Sequence, residues 1–87
     1  MTTRKLMNFA DPGHSWLRVR RSDLGVLGIA DDITSFSFQK GTWVYLEEDC
    51  DAGTYFKAAR SAGWSIAIKT RNSNSTSSIR GYPRYTS

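Results

Sequence analysis

Cysteine is almost absent. Cys50 is the only one among 87 residues, so no intrachain disulfide can staple the fold, and cohesion must come from packing or from a second subunit. Histidine is as scarce, with His14 alone. No zinc spacing, G-x-S-x-G elbow or phosphate loop occurs, which removes the common sequence signatures of catalysis. Long apolar runs are missing as well. The longest, Gly25-Val-Leu-Gly-Ile-Ala30, falls far short of the roughly 18 residues that cross a bilayer, so no membrane partner is expected. Met1-Thr-Thr-Arg-Lys5 is not followed by an apolar segment, and no secretory leader is expected. The length allows one small domain, residues 1–87, and excludes barrels and dinucleotide-binding folds.

Acid is missing from one whole region. Residues 57–87 carry Lys57, Arg60, Lys69, Arg71, Arg80 and Arg84 without a single carboxylate side chain. Residues 31–56 reverse this, with Asp31, Asp32, Glu47, Glu48, Asp49 and Asp51 against Lys40 alone. The first thirty residues are again basic through Arg4, Lys5, Arg18, Arg20 and Arg21. The formal charge is +4, and its two positive thirds point to an anionic partner on one surface, although scattered bases also serve simply to solvate a face. Hydrophobic residues make up 39% and aromatic ones 13%, enough for a modest core and too much for a disordered chain.

The pattern predicts α+β architecture: a small antiparallel sheet in the order ββαββαβ, with a short helix at about 22–28 and a main helix at about 50–62. Asp11-Pro12-Gly13-His14 has type II turn chemistry, joining strands over Leu6–Ala10 and Ser15–Arg20. Ser22 is placed to cap the short helix and Gly28 to end it. Thr34–Gln39 and Thr42–Glu47 alternate around Lys40-Gly41, which would set Phe38 opposite Trp43 and Phe36 opposite Tyr45. That aromatic face is the expected core. Asp49 or Asp51 would cap the main helix, whose stripe is Ala52, Tyr55, Phe56, Ala59 and Ala62, with Gly63 as its stop. A last strand, Trp64–Arg71, turns Trp64, Ile66 and Ile68 one way and Lys69 and Arg71 the other. Thr70–Ser78 is small and polar and reads as a flexible loop at 70–78. Residues 79–87 bring back Tyr and Arg and read as a docking tail.

Three chemistries compete for these residues. A Cys50–His14 pair is possible by count, but Asp49 and Asp51 oppose a thiolate, so an inert buried cysteine and no catalytic residue are expected. Glu47, Glu48, Asp49 and Asp51 could offer oxygens to a cation. A strand end running into a helix cap should splay them, so neither a metal nor another cofactor is expected. The third chemistry is anion binding. Arg18, Arg20, Lys69, Arg71, Arg80 and Arg84 would engage phosphates, Trp16, Tyr82 and Tyr85 would stack on bases, and His14 would donate from its turn. The competing reading has Trp16 packed on an arginine stem and Tyr82 and Tyr85 filling a dimer groove.

Asp11-Pro-Gly-His-Ser-Trp-Leu17, Val44-Tyr-Leu-Glu-Glu-Asp-Cys-Asp51 and Ser78-Ile-Arg-Gly-Tyr82 together resemble a group of small accessory proteins of tailed bacteriophages. The resemblance implies a viral protein in the cytoplasm of the host bacterium, of counter-defence type, that binds rather than reacts. A second likeness is local. Arg18–Ile29, Asp31-Asp-Ile33 and the Phe36–Leu46 hairpin are similar to AbrB-type swapped-hairpin regulators, which bind DNA as dimers. Arg20-Arg21 stands where those regulators have a proline, and Asp31-Asp32 where a Gly-Asp pair is usual. The leading expectation is therefore a non-enzymatic homo-oligomer sequestering a phosphate-bearing nucleotide. A DNA-binding regulator is second. Third is a protein inhibitor of a host enzyme, using the Phe36/Phe38/Trp43/Tyr45 face or the Glu47–Asp51 corner.

Overall fold

Asp11 closes the first hairpin with its side chain. In the computed structural model, which describes residues 1–87, Asp11 Oδ1 accepts from Gly13 N and His14 N, each at 3.0 Å. Gly13 does not adopt positive φ, so the expected type II turn is replaced by one held through a carboxylate, as asparagine and aspartate turns are. It joins β1 (Thr3–Ala10) to β2 (Ser15–Arg20) in antiparallel register, Phe9 opposite Trp16. Helix α1 (Arg21–Val26) follows at once, without a side-chain cap from Ser22. Gly28, at φ 72°, lets Ile29 N reach back to Leu24 O at 2.9 Å and ends the helix.

The second hairpin pairs β3 (Phe38–Lys40) with β4 (Trp43–Glu47). Lys40 lies opposite Trp43 and Phe38 opposite Tyr45, two residues away from the expected register. Gly41, at φ 59°, takes the first position of a two-residue turn, and that geometry selects the pairing. A slip of two preserves which side chains share a face. It does leave Phe36 outside the strand and 64% exposed.

Helix α2 (Asp51–Ser61) buries Ala52, Tyr55 and Ala59, while Ala62 lies beyond its end and is exposed. It carries the chain back across the sheet to β5 (Ser65–Asn72), which runs parallel to β1. A helical crossover joins strands of one direction, so the sheet is mixed, in the order β3-β4-β2-β1-β5, rather than antiparallel throughout. The main core lies between sheet and helices: Leu17, Val19, Val44 and Leu46 against Leu24, Ile29, Ile33 and Tyr55. The aromatic face holds only the smaller cluster of Trp16, Phe38, Tyr45 and Ile79. Both helices need an apolar sheet surface, and the aliphatic side of β2 and β4 supplies it.

Two buried acids belong to this covered side. Asp23 accepts from Arg4 Nε at 2.8 Å and from Tyr55 Oη at 3.4 Å, and burial followed by Asp23 pushes the Tyr55 phenol up to about 12. Asp51 does not cap α2. It accepts from Thr34 N, Thr34 Oγ1 at 2.7 Å and Ser37 Oγ at 2.5 Å, tying the approach to β3 onto α2.

The segment expected as a loop over 70–78 is shorter. Thr70–Asn72 belong to β5, and Ser78 opens a 3-10 helix, Ser78–Gly81, with Ser77 Oγ accepting from Ile79 N. The tail docks on its own chain. Gln39 N donates to Pro83 O at 2.9 Å and Tyr85 N to Ser37 O at 2.8 Å.

Candidate anion-binding face and end cleft

The pleat sorts the basic residues. Lys69, Met7, Arg18, Tyr45 and Phe38 form one continuous row across all five strands, and Arg71, Phe9, Trp16 and Glu47 form a neighbouring one. Alternation puts Lys5, Arg20, Trp43 and Lys40 on the same side. Arg18 is the centrepiece. Its guanidinium carbon lies 4.4 Å from the Trp43 ring centroid and 5.3 Å from that of Phe9, with Arg20 at 5.7 Å from Trp43. Rings beneath a guanidinium attract it through their quadrupole and hold its plane.

None of these cations has an acid partner. The ion pairs of the molecule are Arg4–Asp23, His14–Glu48 and Arg80–Asp11, so Lys5, Arg18, Arg20, Lys40, Lys69 and Arg71 are unpaired. Arg18, Arg20, Lys69 and Arg71 were legible from alternation in β2 and β5. Lys5, Lys40, Phe9 and Trp43 were not, although Phe9 shares the parity of Lys5 in β1 and Lys40 shares that of Phe38.

The remaining candidates lie elsewhere or have other work. Trp16 is 2% exposed and sits between Phe38 and Arg80, whose guanidinium carbon is 5.2 Å from its ring. Tyr85 is 4% exposed, and its hydroxyl donates to Ala30 O at 2.5 Å. Neither ring offers a free face for stacking, because each fills the interior. Arg80 is held by Asp11, Nε to Oδ2 at 2.7 Å and Nη2 to Oδ1 at 2.9 Å. This guanidinium, with the Ser77 amide, holds the Asp11 carboxyl far below the usual range. Arg84 donates to Ser35 O at 3.1 Å over the Phe38 ring. Tyr82 leans on Tyr45, ring centroids 5.3 Å apart, beneath Lys40 Nζ. The ten residues therefore do not all converge in one recess, although His14, Trp16, Arg80 and Arg84 line a common cleft.

His14 faces a different feature. A cleft of about 580 Å³ opens at the end of the sheet, lined by His14, Phe36, Glu47, Asp49, Cys50 and Arg84 among others. Ligand atoms of His14, Glu47 and Asp49 all lie within 4.8 Å of one another. The expected splaying is partial: Glu48 turns to Ser15 and Asp51 is buried against Thr34 and Ser37, whereas Glu47 and Asp49 stay together and the β1–β2 turn brings the imidazole across to them. Cys50 is exposed rather than buried. Desolvation, then Asp51 and Glu47, raise its thiol pKa, which disfavours the thiolate that nucleophilic chemistry needs.

A recess of about 440 Å³ lies beside the open face, between Arg20, Arg21, Ser22, Gly41, Thr42 and Trp43. No helix is long and apolar enough to cross a membrane. No protein-family model matches the chain, and no curated protein or solved structure shows significant similarity to it.

Proposed function

We propose that this chain is a non-enzymatic binder of nucleic acid, holding the phosphate backbone on the open face of its sheet. One observation carries the reading: six basic side chains without acid partners share that face. Surface bases often solvate a domain, but they then alternate with acids; here the strands of that face carry one acid, Glu47 at one end, and Asp11 beside it is taken up by Arg80. The spacing favours a polymer over a single nucleotide. Outer strands of a five-stranded sheet stand about 19 Å apart, several phosphates of chain; the tail covers Trp16, Phe38 and Tyr45 on this face but leaves Lys5, Arg20, Lys40, Lys69 and Arg71 exposed around them. Arg18, held over the Phe9 and Trp43 rings, offers a guanidinium on which an unpaired base can lie. A counter-defence role in a bacterial host is the setting that the likeness to phage accessory proteins suggests.

A second reading rests on the 440 Å³ recess, where Arg20, Arg21 and the Trp43 indole could hold one nucleotide. Anisotropy with labelled single-stranded and duplex oligonucleotides across a salt series separates the two. Six phosphate contacts predict a slope of log K against log salt of roughly −4 for a single strand. Capture of a mononucleotide predicts a slope nearer −1, with one ligand per chain. No binding of either ligand at low salt would refute both.

A further inference from the structure

We propose that His14, Glu47 and Asp49 form a site for one divalent transition-metal cation of the Zn²⁺ class, at the end of the sheet where Glu47 closes the basic face. The three come from different places: the β1–β2 turn, the last residue of β4, and the loop entering α2. Their ligand atoms nevertheless fall within 4.8 Å of one another. Around an ion bound at about 2.0–2.2 Å, ligand atoms stand roughly 3–4 Å apart. Side chains on the surface close that difference by small rotations.

The donor set selects the metal. One imidazole nitrogen with two carboxylates suits zinc and its neighbours, whereas calcium and magnesium prefer all-oxygen shells. Charge points the same way. Glu47, Glu48 and Asp49 gather around a single imidazole, and the guanidiniums lining the cleft are engaged elsewhere, Arg80 with Asp11 and Arg84 with Ser35 O. The surroundings also orient the ligands. Glu48 accepts from Ser15 Oγ at 2.7 Å and stands 3.8 Å from His14 Nδ1, a carboxylate placed to fix the ring as outer partners of metal-bound histidines do. Asp49 N donates to Glu47 Oε1 at 3.0 Å. Positions that protein does not fill would face the 580 Å³ cleft and Phe36, open to a small anionic or neutral donor.

Calorimetry of the metal-stripped full chain with ZnCl2, and separately with MgCl2 and CaCl2, tests this. The expected result is one Zn²⁺ per chain, with magnesium and calcium far weaker. His14→Gln and Asp49→Asn should each weaken zinc at least about tenfold, while Cys50→Ser retains it. Both substituted side chains are exposed, so unchanged thermal melts will show that the fold persists. Histidine imidazole resonances in NMR should shift on adding zinc. Absence of stoichiometric zinc, equal binding by His14→Gln, or loss of binding only in Cys50→Ser would each overturn the site. Oligonucleotide binding by the same variants should be unchanged, which keeps this test apart from that of the sheet face.

Discussion

The two faces of the sheet treat charge in opposite ways. On the helix-covered side the carboxylates of Asp23 and Asp51 are buried and supplied with donors, and no buried side-chain polar atom lacks a partner. On the open side, Lys5, Arg18, Arg20, Lys40, Lys69 and Arg71 have no acid among the ion pairs. A buried charge must be satisfied to be tolerated. A row of surface cations without acids repels itself, and the ring contacts of Arg18, Arg20 and Lys40 offset this only in part. Charge on the first face is thus structural, whereas charge on the second is available to a ligand.

Substitution can break this contrast, and the largest effect should fall on the covered side. Asp51→Ala leaves the Thr34 amide and the Thr34 and Ser37 hydroxyls without their acceptor, and should cost about 3 kcal/mol in urea denaturation. Ile79→Ala comes next. It opens a cavity under the tail beside Trp16 and Phe38, for about 2–3 kcal/mol. Lys69→Ala on the open face should leave stability within about 0.5 kcal/mol. The same substitution should reduce the salt slope of oligonucleotide binding by about one. A loss of stability there with unchanged affinity would erase the distinction between the faces.

The last effect concerns acid. The Arg80 guanidinium, then the Ser77 amide, depress the Asp11 carboxyl below its ordinary value of 3.8. Between the folded and unfolded values the unfolded chain binds the extra proton, so stability rises with pH. The contribution is whole above about pH 4 and declines as pH falls further. Asp11→Asn should flatten that part of the acid limb in denaturation curves taken from pH 5 to pH 2, and lower stability at pH 7.

How much of this was legible in the sequence differs by element. The first hairpin, the glycine stops and the α2 stripe follow from local rules, because period and punctuation are written in neighbouring residues. The β3–β4 register is not, since it depends on where the two-residue turn falls around Gly41. The direction of β5 depends on the path of α2 across the sheet, a long-range matter. Alternation with Arg18 and Arg20 points Trp16 toward stacking, and the Arg/Tyr cluster of the tail does the same for Tyr85, yet Ile79 and Arg80 cover the former, and the hydroxyl of the latter bonds Ala30. Glu47 and Asp49 could be read as helix-cap acids, while the approach of His14, more than thirty positions earlier, belongs to tertiary structure alone.

The central claim is that ligand meets the open face and leaves the helical face alone. Amide and indole NMR shifts during titration with a short single-stranded oligonucleotide address it most directly. The account predicts perturbations along β1, β2 and β5 and at the Trp43 indole, with α1 and α2 undisturbed. Perturbations centred on α2 or on the His14 cleft, with the strand rows silent, would contradict it.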